Sequence, residues 1–331
     1  LIAFVLLMIP AYIGNSNYDV YYKLDESLPK DLAFNVANND LAKKFGITSP
    51  EIIIMDKNVS SSDIESLTDE LKSVEGIDLV LSPSEFVNNG LETIIPDNLQ
   101  EILNNDKYQL VLTNSTYEIA SDDLNNQLAT VNKIVHKYDK KAIVAGEGAL
   151  MKDLITIADH DFNMVNYTSL AVIFIIMVLV LKSLSLPVVL SLVIEFAIFV
   201  NMSIAYYTGT SLPFIASIVV GTIQLGATID YAILMSTKYI EERQKSANKQ
   251  KCMEETLKFT IPSIITSALC FFAATASVGF YTKIDMIGSI CNLLARGSLI
   301  SMISVIFILP SLLMLCDKII LKNKNVKKEG K

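Results

Sequence analysis

The second half of this chain is a series of apolar runs too long and too numerous for a water-soluble core. Residues 165–181, 187–207, 212–236 and 259–281 are each of spanning or near-spanning length, since crossing the bilayer takes ~20 apolar residues at 1.5 Å rise. A last run, 284–315, is too long for one straight span, and Arg296-Gly297 divides it. We read 285–295 as an interfacial helix and 297–315 as the span. Composition agrees: 51% of residues are hydrophobic and 19% charged. The mean hydropathy is +0.43, which belongs to the membrane class.

The chain opens on a further apolar stretch, residues 1–9. A secretory signal would carry a basic n-region, which is missing here. A transmembrane helix cut off at its N-terminal side fits better, which makes the numbered chain a fragment of a longer polypeptide.

Residues 15–163 are different in kind. They hold 26 of the 35 acidic residues and only 12 of the 27 Lys and Arg. Short apolar runs alternate with helical patterns. Residues 51–55 read as a buried strand, and 61–74 as a helix with Ile64, Leu67, Leu71 and Val74 on one face. Residues 78–81 read as a second strand, stopped by Ser82-Pro83. A similar unit follows: a strand at 108–113, a helix at 121–138 and a strand at 141–145. Two successive βαβ-like units point to a small α+β sandwich of split-βαβ style. Residues 85–106 between them read as helical or irregular.

Charge sets the orientation. Lys238, Arg243, Lys245, Lys249, Lys251 and Lys258 cluster in one connection, read as a loop over 238–258. Lys318, Lys322, Lys324, Lys327, Lys328 and Lys331 form a basic tail, and Lys182 marks a third corner. Alternating the spans puts all three on one side, which the positive-inside rule makes cytoplasmic. The acidic segment then lies outside, with both termini inside. The expected domains are a first membrane helix at 1–14, an outer α+β domain at 15–163, five helices over 164–317 and a cytoplasmic tail at 318–331. The net charge of −8 argues against a nucleic-acid partner. None of the four cysteines lies in the acidic segment, so no disulfide framework is expected there. His136 and His160 have no metal-ligand spacing, and no nucleophile–base pair appears, so an enzyme is not expected. Two glycosylation sequons, at Asn58 and Asn114, decide nothing by themselves.

Two acidic residues interrupt the spans, Glu195 and Asp230. An ionisable group at membrane depth costs a few kcal/mol and usually faces a bundle interior or a wet cavity. Asp230 lies eight residues, ~12 Å, from Lys238, and Glu195 lies at the same sequence distance from Pro187, so both fall in one layer. Either could be a carboxylate that only joins helices. Tyr231 adds a hydroxyl beside Asp230, and Gly221, Gly226 and Ala227 thin the helix surface so that another helix can approach. Gln224 is a further polar residue at depth.

Gly226-Ala227-Thr228-Ile229-Asp230-Tyr231-Ala232, then Lys238-Tyr239 and Glu241-Glu242-Arg243, resembles the fourth transmembrane helix of MMPL-type transporters of the RND superfamily. Lys182 to Pro187 resembles the inner corner between that family's second and third helices. Ala295-Arg296-Gly297 with Leu309 to Leu313 resembles its sixth helix, and Ala145 to Leu150 the end of its outer porter domain. The resemblance implies one RND repeat: six transmembrane helices with an extracytoplasmic α+β porter-like domain. It implies export of lipids, drugs or other hydrophobic or amphipathic compounds against proton entry. The cofactor is then the proton gradient alone. Asp230 and Tyr231 would be the proton relay of this half, here taken as the C-terminal one, with Gly297 as a packing glycine. Glu195 and Gln224 are outside the family pattern and stay secondary. The expected partners are a missing N-terminal half or a second copy, membrane lipid and the amphipathic substrate. The SecD/SecF type of translocation motor, and a lipid sensor or scaffold of the same fold, are the alternatives.

Overall fold

The computed structural model describes residues 2–22, 28–83 and 107–321. The stretch at 85–106 and the basic tail beyond Leu321 lie outside the described residues. Contacts divide the chain into two units, Pro29–Asp159, and Leu1–Leu28 with His160–Lys331.

The smaller unit is built on a four-stranded antiparallel sheet. Its elements are α2 (Ala33–Phe45), β2 (Ser49–Asp56), α3 (Ser61–Lys72), β3 (Ile77–Leu81), β4 (Tyr108–Ser115), α4 (Asp122–Tyr138) and β5 (Ile143–Gly146). The strand order is β3-β4-β2-β5. With β4 antiparallel to both neighbours, β2 and β3 run parallel and are joined by α3. This is the split-βαβ arrangement expected from the alternation of runs. Ser60 and Ser121 cap α3 and α4 by accepting the N–H of Asp63 and Leu124, which satisfies donors left free in a first helical turn. The core joins Ile53, Met55 and Val111 of the sheet to Ile64, Leu67, Leu71, Val131 and Val135 of the helices. Helix α2 was not anticipated; it ends on Gly46 at φ +71°, the left-handed conformation glycine adopts without strain.

The larger unit begins with α1 (Ile2–Ser16) and a short strand, β1 (Val20–Tyr21). The long helices follow: α5 (Glu147–Leu181), α6 (Ser185–Thr208), α7 (Ala216–Lys245), α8 (Lys249–Tyr281) and α9 (Asp285–Phe307). Between α6 and α7 a second short strand, β6 (Leu212–Pro213), pairs in parallel with β1. Two short helices are the last of the described elements, α10 (Leu309–Leu315) and α11 (Asp317–Ile320). Five segments are long and apolar enough to cross a membrane: α5 to α8, and Asp285–Leu315. Helix α1 is apolar but has 15 residues. It packs on α6, with Phe4 against Phe196 at 4.8 Å between ring centroids and the Tyr207 hydroxyl donating to Pro10 O at 3.0 Å. Val172, Ile175, Ile176, Leu179 and Val180 of α5 are exposed, as a lipid-facing surface requires.

Three boundaries differ from the sequence reading. Helix α5 starts at Glu147, well before the apolar run, because nothing in 147–164 breaks a helix. The Lys-rich connection is almost entirely helical: α7 continues to Lys245 and α8 starts at Lys249. Polar residues do not end a helix, and here Glu241 and Glu242 pair with Lys238 and Lys245 one turn away. Asn248 then caps α8 by accepting Lys251 N–H. Finally, α9 runs unbroken through Arg296-Gly297 and stops at Ile308 instead. There is no interfacial helix at 285–295. Pro310 explains the real break, since it lacks an N–H and crowds the preceding turn.

Candidate functional site

Asp230 lies in the middle of α7, but its carboxylate is on the outside of the bundle. It is exposed, as are Gly226 and Ile223 one and two turns earlier. No atom of another residue would meet a Cβ built at Gly226. The carboxylate lines an open depression of about 340 Å³ with Ala227, Tyr231 and Leu234 of α7 and Ser263, Ile264 and Ser267 of α8. Tyr231 borders the same depression but is mostly covered. It is 7% exposed and belongs to the hydrophobic core, and its hydroxyl faces Ser298 of α9. The two residues stand about 100° apart around the helix, Tyr231 held by α9 and Asp230 left exposed.

Gln224, by contrast, is buried and fully engaged. Asn201 of α6 donates through Nδ2 to Gln224 Oε1 at 2.8 Å and to Leu293 O at 3.1 Å. Gln224 Nε2 donates to Ser301 Oγ at 3.1 Å, and Thr228 Oγ1 donates to the same oxygen at 2.8 Å. Arg296 completes the network: its Nε donates to Asn201 Oδ1 at 2.9 Å and its Nη2 to Asn201 O at 2.8 Å. Gly297 allows this, because a Cβ there would lie 2.5 Å from Gln224 Oε1 and 2.7 Å from Asn201 Nδ2. Arg296 thus sits inside the bundle between α6 and α9, not at an outer corner. In low dielectric such a network is stable only when its donors and acceptors match, as they do here. Sequence reasoning missed Asn201, Ser301 and the inward placement of Arg296; an Asn and an Arg inside apolar runs were the available signal.

Glu195 occupies a third setting. It is half-buried on α6 and lines a cavity of about 280 Å³. Asn166 of α5, Tyr18, Ser217 and Gly221 share that lining with Ile198 and Phe199. Gly221 faces the Asn166 side chain, 3.1 Å from where its Cβ would be. The structure therefore separates the residues singled out from sequence. Glu195 and Gly221 line one cavity, Gln224 and Gly297 belong to one network, and Asp230 stands on another face.

The comparison with known proteins decides the family. The sequence pattern of the MMPL family matches residues 96–330. This chain belongs to the MMPL family. A protein of Methanocaldococcus jannaschii, named as a membrane protein, is 23% identical over 371 aligned positions, covering 96% of this chain and 91% of that one. A protein of Mycobacterium tuberculosis, MmpL1, named as a probable transport protein, is 22% identical over 220 positions. That match takes in 64% of this chain and 23% of MmpL1. The chain is thus a multi-pass membrane protein and a distant homologue of a mycobacterial MmpL protein. The match favours the MMPL resemblance over the SecD/SecF one.

Two further carboxyl groups of this MMPL chain were not legible as special. Asp317 opens α11 and is 3% exposed. Arg243, in the last turn of α7, grips it with two hydrogen bonds, Nε to Oδ1 at 2.9 Å and Nη2 to Oδ2 at 3.0 Å. The Tyr239 hydroxyl donates to Oδ1 at 2.8 Å, and Lys249 Nζ stands 3.4 Å from Oδ2. Burial pushes the Asp317 pKa up, but the Arg243 and Tyr239 hydrogen bonds and the nearby cations outweigh it and hold the group below its ordinary value. This clamp ties the end of α7 to the segment after the last span. Glu51 is the other. Strand alternation places it on the same face of β2 as Ser49, Ile53 and Met55, so it is 3% exposed. Burial raises its pKa to about 7, against the opposing pull of the Ala149 and Gly148 N–H groups and the nearby Ser49 hydroxyl.

Proposed function

We propose that this chain is half of a proton-driven secondary transporter that exports lipids, drugs or other hydrophobic or amphipathic compounds. The observation that carries this reading is the position of Asp230. It is a carboxylate midway along an apolar membrane helix of an MMPL-family chain, with no hydrogen bond or ion pair among the described residues. Left against lipid, that group would cost a few kcal/mol. A second bundle placed on the same face would cover it and leave a shielded site for loading and releasing a proton. Gly226, with nothing near it, and the small Ala227 on that face would let the second backbone come close. Asp230 is then the proton carrier. Tyr231, packed against α9 beside the carboxylate, fixes how α7 is rotated and so holds Asp230 in place.

The partner bundle would be the other half of the same transporter or a second copy of this chain. In this reading the Lys-rich ends are cytoplasmic and the sheet unit is outside. Alternating access would follow from a change in helix packing when Asp230 gains or loses its proton. The test is efflux of a fluorescent amphiphile from proteoliposomes under an imposed proton gradient. This chain is reconstituted alone and together with the remaining part of its reading frame. Gradient-driven efflux by the pair, and none by the monomeric chain, is expected. Efflux by the chain as a demonstrated monomer would remove the need for a partner and overturn the half-transporter reading.

A further inference from the structure

Glu51 lies in a closed setting made by its own chain. Gly146, the last residue of β5, and Gly148, in the first turn of α5, both press on its carboxyl oxygens. A Cβ at either glycine would collide with them. Leu124 of α4 closes the same space, within 2.8 Å of the Gly148 Cβ position. Oε1 accepts the Ala149 N–H at 3.2 Å. Oε2 has no well-formed hydrogen bond, and neither does the neighbouring Ser49 Oγ. A buried acceptor without a partner is uncommon and costly in the ionised form. Among the described residues, those that touch it bring no cation. Thr113 stands opposite on β4 and Gly146 on β5, Leu124 comes from α4, and the charged group acting on it among the described residues is Glu147, which opposes ionisation. The free N–H groups of a helix start favour the anion, so both protonation states remain within reach near neutrality.

We propose that Glu51 is a proton-binding site of the sheet unit, separate from Asp230, and that loss of its proton loosens the junction where β5 becomes α5. The same helix, α5, goes on to form a membrane span, so the site sits at the start of an element that serves both units. The inference does not depend on the transport reading. It would hold for a sensor or scaffold with this fold.

The direction follows from linkage. In the closed junction the group titrates at about 7, and in an opened, hydrated one at its ordinary value of 4.5. The closed form is therefore favoured fully below about pH 4.5. That advantage is lost as pH rises through about 7, and is flat above it. The opening equilibrium should shift by as much as ~300-fold across that window, the equivalent of the whole pKa difference.

The test uses the full chain in lipid nanodiscs. Hydrogen-exchange protection of residues 146–152, corrected for the intrinsic pH dependence of exchange, is followed from acid to alkaline pH. Infrared absorption of protonated carboxyl groups is recorded in parallel. Protection should fall by tenfold or more between about pH 4.5 and 7 and level off above, with one carboxyl signal lost through about pH 7. In Glu51→Gln, that signal should be absent and protection independent of pH. If the extra amide donors of Gln disturb the fold, Glu51→Met serves as the neutral replacement of similar length. Protection that is flat with pH in the unaltered chain, or equally pH-dependent in a neutral variant, overturns the proposal.

Discussion

Glu51 and Asp230 are both carboxyl groups within apolar stretches of their elements, and the chain treats them in opposite ways. In the sheet unit, β2, β5, α4 and the start of α5 close over Glu51 until it is 3% exposed. In the membrane unit, α7 turns Asp230 outward, beside a glycine with nothing near it. Water would make the second position trivial; hydrocarbon makes it expensive. An enclosed carboxyl is a property of the chain that encloses it. An uncovered one on a span points to something outside the chain, and Asp317 supplies the control. It is also a carboxylate beside the bundle, but Arg243, Tyr239 and Lys249 complete its interactions within the chain.

The comparison can be broken most directly at Asp230. Asp230→Asn keeps the shape and imitates the protonated form. In liposomes holding the complete transporter, it should bring gradient-driven efflux and coupled proton uptake down to background. Insertion and thermal stability should be unchanged, since no bond within this chain is lost. A normal pH response in that variant would return Asp230 to a merely structural part. At Asp317 the expectation is reversed. Asp317→Ala leaves Arg243 buried without its partner and should destabilise the bundle by ~3–5 kcal/mol, as for other broken buried pairs. Replacing both residues by apolar ones should recover much of that loss. Unfolding in mixed detergent measures both, and a single variant as stable as the parent would show that the clamp carries no energy. The smallest effect is expected at Glu195, whose cavity can hold water and whose removal breaks no hydrogen bond. Glu195→Gln should keep most efflux, within a few-fold of the parent. Complete loss of coupling with normal expression would move Glu195 into the proton path.

How much of this was readable beforehand depends on the range of the information. Local pattern fixed the elements. The alternation around Ile53 and the helical spacing of Ile64, Leu67 and Leu71 gave the sheet unit's strands β2 to β5 and helices α3 and α4 within a few residues, while α2 went unread. The Asp230-Tyr231 segment and the ordered set of motifs gave the family. Errors arose where a local cue was given the wrong physical weight. A Lys-rich stretch was read as a loop although Lys and Glu at helical spacing support a helix. Arg296-Gly297 was read as a break although the nearby Pro310 is the residue that cannot continue a helix. Even Glu51 carried a usable signal, because strand parity puts it inward with Ile53.

The sequence by itself determined that this chain crosses a membrane, that it carries a small α+β unit and that it belongs with the MMPL proteins. Hydropathy and short motifs are properties of neighbouring residues, so one chain suffices to read them. Only the tertiary structure decided which way each polar group faces. It turned Asp230 out and Tyr231 in, and joined Asn201 to Gln224 and Arg296 across 23 and 95 residues of chain. It also set Gly146 and Gly148 against the carboxyl group of Glu51. A helix offers every residue a direction, but the direction that counts as inside is set by the helices and strands that pack against it. Those contacts come from residues far away in sequence.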